Sequence, residues 1–345
     1  MPKKIRSVKI QDVAKAAGVS VSTVSRVLNQ KVDVSEETRQ RILEVIQQLG
    51  YSSSLAARSM RSRSHKLIGL IVPDMEYPYS LQVAKGVNHA IASSKYDLLI
   101  YTTGTFQKED TAQHEQHYVS LLNGTITDGV ILLTPSATSF NSSAPMVSID
   151  PHVLPVGDPT ILPDHYAGAL EAMRYLVQLG HRRIAYITGR VGYQNSERYR
   201  AYCDSLAEAD LPWEAELVQE GNFSVPGGQA AAERLFALPS PPSAIFAAND
   251  QTALGVMQAV SEAGLRIPHD LSLVGYDDIP EARYLGLTTV NQPLEKMGEL
   301  AVELLIQLIE GQPVEHRVRT VPTSLVVRHS CGAWTPARVK MAGVG

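Results

Sequence analysis

In the first fifty residues apolar side chains return every three or four positions: Ile10, Val13, Ala14 and Ala17 mark one face of a helix that Gly18 interrupts. Ser20 then stands where a helix N-cap belongs, and the spacing predicts a second helix over residues 21–29. It turns Val24, Val27 and Leu28 inward and leaves Val21, Ser22, Ser25 and Arg26, with Thr23 beside them, on a short polar face. A third helix is expected from Ser35, with Glu36 and Glu37 in its first turn, Ile42, Val45, Ile46 and Leu49 inward, and Gly50 placed to end it. Helix, turn, helix and a third helix make a small bundle whose second helix is flat enough to approach DNA closely.

From Leu67 the period changes. Short apolar runs (LIGLIV, DLLIY, GVILL, PMVSI) alternate with amphipathic stretches over 81–91 and 111–122. The alternation restarts with a helical stretch at 166–179, then RIAYITG, 196–209, AIFAA, 250–263 and LSLVGY. Such alternation means parallel sheets joined by crossover helices. The restart near residue 160 predicts two similar α/β subdomains with a cleft between them, 67–160 (returning near 290–320) and 161–330.

In open α/β sheets ligands bind outside the carboxyl ends of the strands. Those positions hold Asn249 and Asp250 after AIFAA, Asp277 and Asp278 after LSLVGY, and Arg198 beyond the loop that follows RIAYITG. An amide, carboxylates and a guanidinium around one cleft can hydrogen-bond several hydroxyls of a sugar or nucleoside. Taken singly, each also suits a capping or surface role, Asp250 as a helix N-cap above all and Asp278 as the cap of a turn. Asp277 and Asp278 are adjacent on a strand end and point in different directions, which argues against an acid/base dyad.

Charge separates the two regions. Residues 1–66 hold 13 Lys/Arg against 5 Asp/Glu, net +8, and the remainder 18 against 30, net −12. A basic head on an acidic body points to an anionic polymer as partner of the head alone. Two cysteines, Cys203 and Cys331, are too few for a disulfide framework. His114 and His117 stand three apart without a carboxylate or cysteine at metal spacing, and no phosphate-loop, HExxH or GxSxG pattern occurs, so neither a metal, a cofactor nor catalysis is expected. The basic start MPKKIRSVKI runs into a polar periodic segment, and no apolar stretch is long enough to span a bilayer, so a cytoplasmic protein without membrane contact is expected.

Between head and body, SSSLAARSMRSRSHK (52–66) carries Arg58, Arg61, Arg63 and Lys66 on a weak helical pattern. As a free peptide it is too short and serine-rich to hold a helix, and its composition also suits a solvated tether.

The strings KIQDVAKAAGVSVSTVSRVLN (9–29) and VSEETRQRILEVIQQLGY (34–51) resemble the N-terminal domain of the LacI/GalR family of transcription regulators almost position for position. LGHRRIAYITG, AIFAANDQTALG and IPHDLSLVGYDDIP resemble the family's effector domain, so the resemblance runs from about residue 7 to 328. It implies a helix-turn-helix head over 1–51, a hinge helix over 52–66, a periplasmic-binding-protein-like pair of α/β subdomains with parallel sheets, and a tail over 331–345. In that family the start of the second helix reads the major groove, which implies base contacts for Val21, Ser22 and Arg26 and phosphate contacts for Thr23, Ser25 and Asn29. AARSM matches the hinge helix, which folds on operator DNA and drives an apolar side chain into the minor groove. That position is Met60, where leucine is usual, with Ala57 on the same face.

The family's effector contacts match Arg198, Asn249 and Asp277, with Phe223 at the aromatic position that stacks on the ligand ring. PDMEYPYS matches the loop after the first strand and adds Asp74, Tyr77 and Tyr79. Three positions depart from the pattern: His165 and Tyr77 stand where asparagine is usual, and Ala201 where glycine is usual. His165 thereby joins the pocket candidates, and a lining with added aromatic and imidazole groups suits a ligand other than a common hexose.

The resemblance implies a homodimeric regulator of repressor type, each head on one half of a near-palindromic operator. A sugar, sugar derivative, nucleoside or purine in the cleft would change the separation of the two hinges, and either sign of response, release or recruitment, fits the sequence. The tail lacks the leucine heptads of a coiled-coil tetramer. Three other classes share parts of the pattern. A stand-alone solute-binding protein would carry an export signal and no DNA-reading head, and a constitutive DNA binder would show salt dependence with little sequence preference. An enzyme acting on a sugar or nucleoside in the cleft would show turnover.

Overall fold

A computed structural model describes residues 8–28, 33–51, 65–104, 108–122, 126–153, 158–189 and 196–334. The chain forms two compact units, 1–65 and 66–345. Asn29, Ala57 and Met60 lie outside the described residues.

The first unit contains α1 (Ile10–Ala17), α2 (Val21–Leu28) and α3 (Glu36–Leu49). Val13, Val24 and Ile42 are fully buried, and Ala14, Ala17 and Val27 close the core around them. The helix ends follow the sequence signals. Ser20 Oγ accepts from the Thr23 N–H at 3.1 Å and Ser35 Oγ from the Thr38 N–H at 3.4 Å. Gly18 and Gly50 end α1 and α3 with φ of 66° and 60°, which favours glycine. The inward set of α3 is narrower than its periodicity predicts: Val45 and Ile46 are half-buried and Leu49 is exposed. Three short helices do not bury enough surface to cover the last turn of the longest one.

The second unit holds two six-stranded sheets. The first contains β1 (Leu67–Val72), β2 (Asp97–Thr102), β3 (Gly129–Leu133), β4 (Met146–Ile149), β5 (Thr160–Pro163) and β11 (Val318–Val321), in the order β11-β5-β4-β3-β1-β2. The second contains β6 (Ile184–Thr188), β7 (Val218–Glu220), β8 (Ala244–Ala247), β9 (Ser272–Asp277), β10 (Thr288–Asn291) and β12 (Ser324–Val326), in the order β12-β10-β9-β8-β6-β7. Every pairing is parallel except β10 with β12. Strands β1, β3, β6 and β9 are buried along their whole length, and β2 at the sheet edge is not. Helices on both faces of a parallel sheet explain why those strands read as unbroken apolar runs instead of alternating ones.

Helices α4 (Pro78–Ala92) and α5 (Lys108–Leu122) belong to the first lobe. Helices α6 (His165–Gln178), α7 (Glu197–Glu208), α8 (Val225–Phe236), α9 (Asp250–Glu262) and the short α10 (Pro280–Tyr284) belong to the second. The chain passes between the lobes three times: from β5 into α6, from β10 into α11 (Leu294–Ile309), and from β11 into β12. Helix α11 thus returns to the first lobe, where it packs on α4 and across β3, β4 and β5. A Cβ on Gly86 would fall 1.8 Å from the Glu295 carbonyl oxygen, and one on Gly298 would fall 2.3 Å from that of Val83. Backbone meets backbone there, and only glycine permits it. No helix among the described residues is long and apolar enough to cross a membrane.

Gly86→Ala forces α4 and α11 apart. We expect a loss of about 1–3 kcal/mol, read as a lower urea midpoint at unchanged slope. A midpoint equal to that of the unaltered protein would show that the helices yield freely.

Candidate DNA-reading face and interlobe site

On α2 the outward face carries Val21, Ser22 and Arg26, all exposed, with Thr23 and Ser25 half-buried beside them. The Ser20 hydroxyl lies 2.7 Å from that of Ser22 and 2.8 Å from that of Thr23, so three small hydroxyls cluster at the helix start. Arg26 pairs with Asp33 at 3.4 Å, and both side chains are 57% exposed. A pair so open to water is weak, so the guanidinium can exchange Asp33 for another acceptor at little cost.

In the second unit, the carboxyl ends of the two sheets converge on one polar cluster. Asp150 follows β4, His165 starts α6, Arg198 lies in the first turn of α7, and Asp277 ends β9. Tyr79 reaches in from α4 and donates to Asp150 Oδ2 at 3.0 Å; His165 Nε2 lies 2.8 Å from Asp150 Oδ1. Arg198 donates through Nε to His165 Nδ1 at 3.2 Å and through Nη1 to the Ala248 carbonyl at 2.6 Å. Its guanidinium carbon sits 4.0 Å from the centre of the Tyr276 ring, a cation–π contact. Gln292 donates to Asp277 Oδ1 at 2.6 Å.

The other candidates fall around this cluster. Asn249 caps α9, accepting from the Thr252 N–H at 2.9 Å, and its amide reaches the Phe223 carbonyl at 3.4 Å. The Phe223 ring fills the space beside Gly189, where an added Cβ would come within 2.0 Å of it. Asp74 folds onto its own loop, accepting from the Glu76 N–H at 2.8 Å, and half-buried Tyr77 precedes α4. Neither Asp74 nor Tyr77 hydrogen-bonds to the cluster among the described residues. Ala201 lies fully buried in the second lobe's core and not in the cleft.

One sequence expectation is corrected. Asn249, not Asp250, is the N-cap of α9. Asp250 is fully buried and structural in another way, accepting from the Ile279 N–H at 2.9 Å and the Thr289 hydroxyl at 2.6 Å. Asp278 turns away from Asp277 to Arg328 and Asn291, so the two adjacent carboxylates have separate partners. Asp150, Tyr276 and Gln292 are the cluster members that sequence reasoning missed. Asp150 was within its reach, because it directly follows the strand in PMVSI.

Strain concentrates here too. Of the eight described residues other than glycine with positive φ, six end or follow strands that reach the cluster or flank it: Thr134, Asp150, Asn222, Phe223, Asp277 and Asp278. Such conformations cost about 1–3 kcal/mol each and persist where surrounding structure over-determines them.

Electrostatics follow from burial and from partners. Burial alone would push the Asp150 carboxyl up, but the His165 ring, the Arg198 guanidinium and the Tyr79 hydroxyl outweigh it and hold Asp150 below the ordinary carboxylate range. Burial, with Asp150 and Asp277 nearby, raises Tyr79 well above a free phenol. Burial likewise raises Asp250, reinforced by Asp277. Asp277 is pushed up to about 7 by burial, against the opposing pull of Arg198 and the Gln292 hydrogen bond.

That shift has a sign. The folded state keeps on Asp277 a proton that the unfolded chain, with an ordinary carboxyl near about 3.9, has already released. Its contribution to stability is complete below about pH 4 and is lost as pH rises towards about 7. Asp277→Asn retains an acceptor for Gln292 and cannot ionise. We expect urea-unfolding free energies to fall less between pH 4 and pH 8 in this variant than in the unaltered protein. Equal slopes would place the titration elsewhere.

Comparison with known proteins agrees with both halves of this architecture. Residues 9–54 match bacterial regulatory proteins of the lacI family, and residues 173–331 match a periplasmic binding protein-like domain. The ribose operon repressor of Haemophilus influenzae is 34% identical over 329 residues, covering 93% of this chain and 98% of that relative. The transcriptional repressor PurR of Mannheimia succiniciproducens is 32% identical over 332 residues, with the same coverage. The crystal structure of the lac repressor dimer bound to operator and the anti-inducer ONPF aligns with a TM-score of 0.78 at 26% identity, over 95% of this chain and 100% of that one. A helix-turn-helix unit followed by two α/β lobes, matched along nearly its whole length by repressors of one kind, leaves no place for an enzyme: the chain belongs to the lacI family of bacterial regulatory proteins and is a DNA-binding transcriptional regulator.

Proposed function

We propose that the protein is a cytoplasmic repressor that binds a near-palindromic operator as a homodimer and answers to a sugar-like or nucleoside-like effector held between its two lobes. On DNA, Val21, Ser22 and Arg26 read base edges, Thr23, Ser25 and Asn29 grip phosphates, and Ala57 and Met60 of the 52–66 hinge enter the minor groove. Arg26 donates to the O6 and N7 of a guanine, the bidentate contact its fork geometry suits.

The observation that carries the effector reading is that Arg198, in the first turn of α7, and Asp277, at the end of β9, belong to one buried polar cluster. Arg198 Nη2 and Asp277 Oδ2 have no hydrogen-bond partner among the described residues, which leaves one strong donor and one strong acceptor for the ligand. A donor and an acceptor in one cluster suit the hydroxyls of a sugar or nucleoside. Phe223 supplies an apolar face for a ring, Asn249 a further amide, His165 an imidazole at the start of α6, and Tyr79, Asp74 and Tyr77 the first lobe's side and the rim. Relatives named for a ribose operon and for PurR fit that range of ligands.

A thermal-shift panel of D-ribose, other pentoses and hexoses, adenosine, guanosine, hypoxanthine and guanine tests the ligand class. A ligand at about 100 times its Kd adds roughly 2.7 kcal/mol of stability. We expect a hit to change operator affinity in the same preparation. Arg26→Ala is expected to cost about 1–3 kcal/mol per half-site and to relax preference at one base pair, with effector binding unchanged. Asp277→Ala is expected to do the reverse, abolishing the effector response while sparing operator binding. Loss of both functions in either variant would overturn the separation of DNA reading from effector sensing.

A further inference from the structure

Four side chains form one continuous hydrogen-bonded chain from lobe to lobe. Tyr79 and Asp150 stand on the first lobe, His165 and Arg198 on the second, and the three links measure 3.0, 2.8 and 3.2 Å. A guanidinium only donates. His165 Nδ1 therefore accepts from Arg198, which fixes the imidazole proton on Nε2, and Nε2 donates to Asp150. Both oxygens of Asp150 are thus occupied, one from each lobe. The His165 and Asp150 side chains are only 17% and 15% exposed, so the link is largely shielded from solvent. The Tyr276 hydroxyl donates to the His165 carbonyl at 3.3 Å and holds the start of α6 in place.

Position 165 is where the sequence departs from the family's usual asparagine. The two imidazole nitrogens flank one ring carbon and point in diverging directions, so the ring faces Arg198 with Nδ1 and Asp150 with Nε2. An asparagine amide also carries an acceptor and a donor on one carbon, but its side chain is shorter and does not bring that pair as far from the backbone, whereas glutamine, one methylene longer, does.

We infer that His165 and Asp150 form a latch that holds the cleft shut without ligand, with His165 as its positioning residue. An effector then meets lobes that are already joined, and its binding competes with the latch or requires the latch to open. The regulatory consequence rests on the reading of this cluster as the effector site. The latch itself rests only on the geometry.

Hydrogen exchange followed by mass spectrometry on the ligand-free, full-length protein tests it, using His165→Asn, Asp150→Ala (which removes the acceptor), the double variant and His165→Gln. A charge-assisted hydrogen bond is worth enough to change an opening equilibrium about tenfold. Backbone amides facing the cleft, over residues 74–80, 150–153 and 196–200, are expected to exchange about tenfold faster in each of the first two variants and no faster in the double. Amides of the buried strands β1 and β8 keep their protection and report that both lobes stay folded. His165→Gln can still accept from Arg198 and donate to Asp150, and it restores slow exchange at the cleft. Unchanged cleft exchange in the single variants, accelerations that multiply in the double, or no rescue by glutamine would each overturn the latch. A ligand panel without a hit would remove the effector reading and leave the exchange result standing.

Discussion

Three carboxylates, Asp150, Asp250 and Asp277, are withdrawn from water at the carboxyl ends of parallel strands or just beyond them, and each has to be supplied with donors by the fold. A buried carboxylate without partners costs several kcal/mol, and where the donors fall short, as at Asp250 and Asp277, the group holds its proton to higher pH, so the positions of those donors set the charge of the site. Asp250 takes a backbone N–H and a threonine hydroxyl from the elements beside it. Asp277 takes Gln292, and Asp150 takes Tyr79 and His165, while the charge of Arg198 acts on both Asp277 and Asp150. Gln292 and His165 sit on two of the three passages between the sheets. The electrostatics of the site and the placement of the two lobes are therefore one problem, and a change in either disturbs the other.

The parts of this design visible in the sequence are those that repeat a period or stand at a fixed offset from one. LIGLIV and GVILL are wholly buried strands and read as such, and Ser20, Ser35, Gly18 and Gly50 mark helix ends as their chemistry requires. Arg198 and Asp277 were found by the rule that ligands gather at strand ends. What escaped was short or composite. TILP, VQE, VRTV and SLV are three or four residues each and too brief to show a period. VPGGQAAAERLF carries a Gly-Gly pair that reads as a turn, yet forms a helix because Gly228 lets it lie against the backbone of Thr252. Gln292 gave no local signal at all: its role depends on where β10 leaves the second sheet.

Two kinds of contact with opposite tolerances divide the second unit. Inside the first lobe, α4 and α11 meet through glycine backbone, a fit that leaves no room for a methyl group. Between the lobes, the joints are polar side chains at hydrogen-bond distance, which can separate and be replaced by water or ligand hydroxyls. Rigid lobes with an exchangeable seam are what a small molecule needs in order to move one body against another.

The return of α11 and β11 to the first lobe also fixes an order of events on the ribosome. The core of that lobe draws on side chains from Ile68 to Val321, so it stays open until nearly the whole chain has emerged. The helical head needs nothing beyond Tyr51 for its core, and five of the second lobe's six strands lie between residues 184 and 291. In synthesis from the N-terminus the DNA-reading unit is complete first. Most of the second lobe's strands emerge before the first lobe's core can be completed, but β12 and Ser330 join the second lobe only after β11 has joined the first, so both lobes close at the end of synthesis.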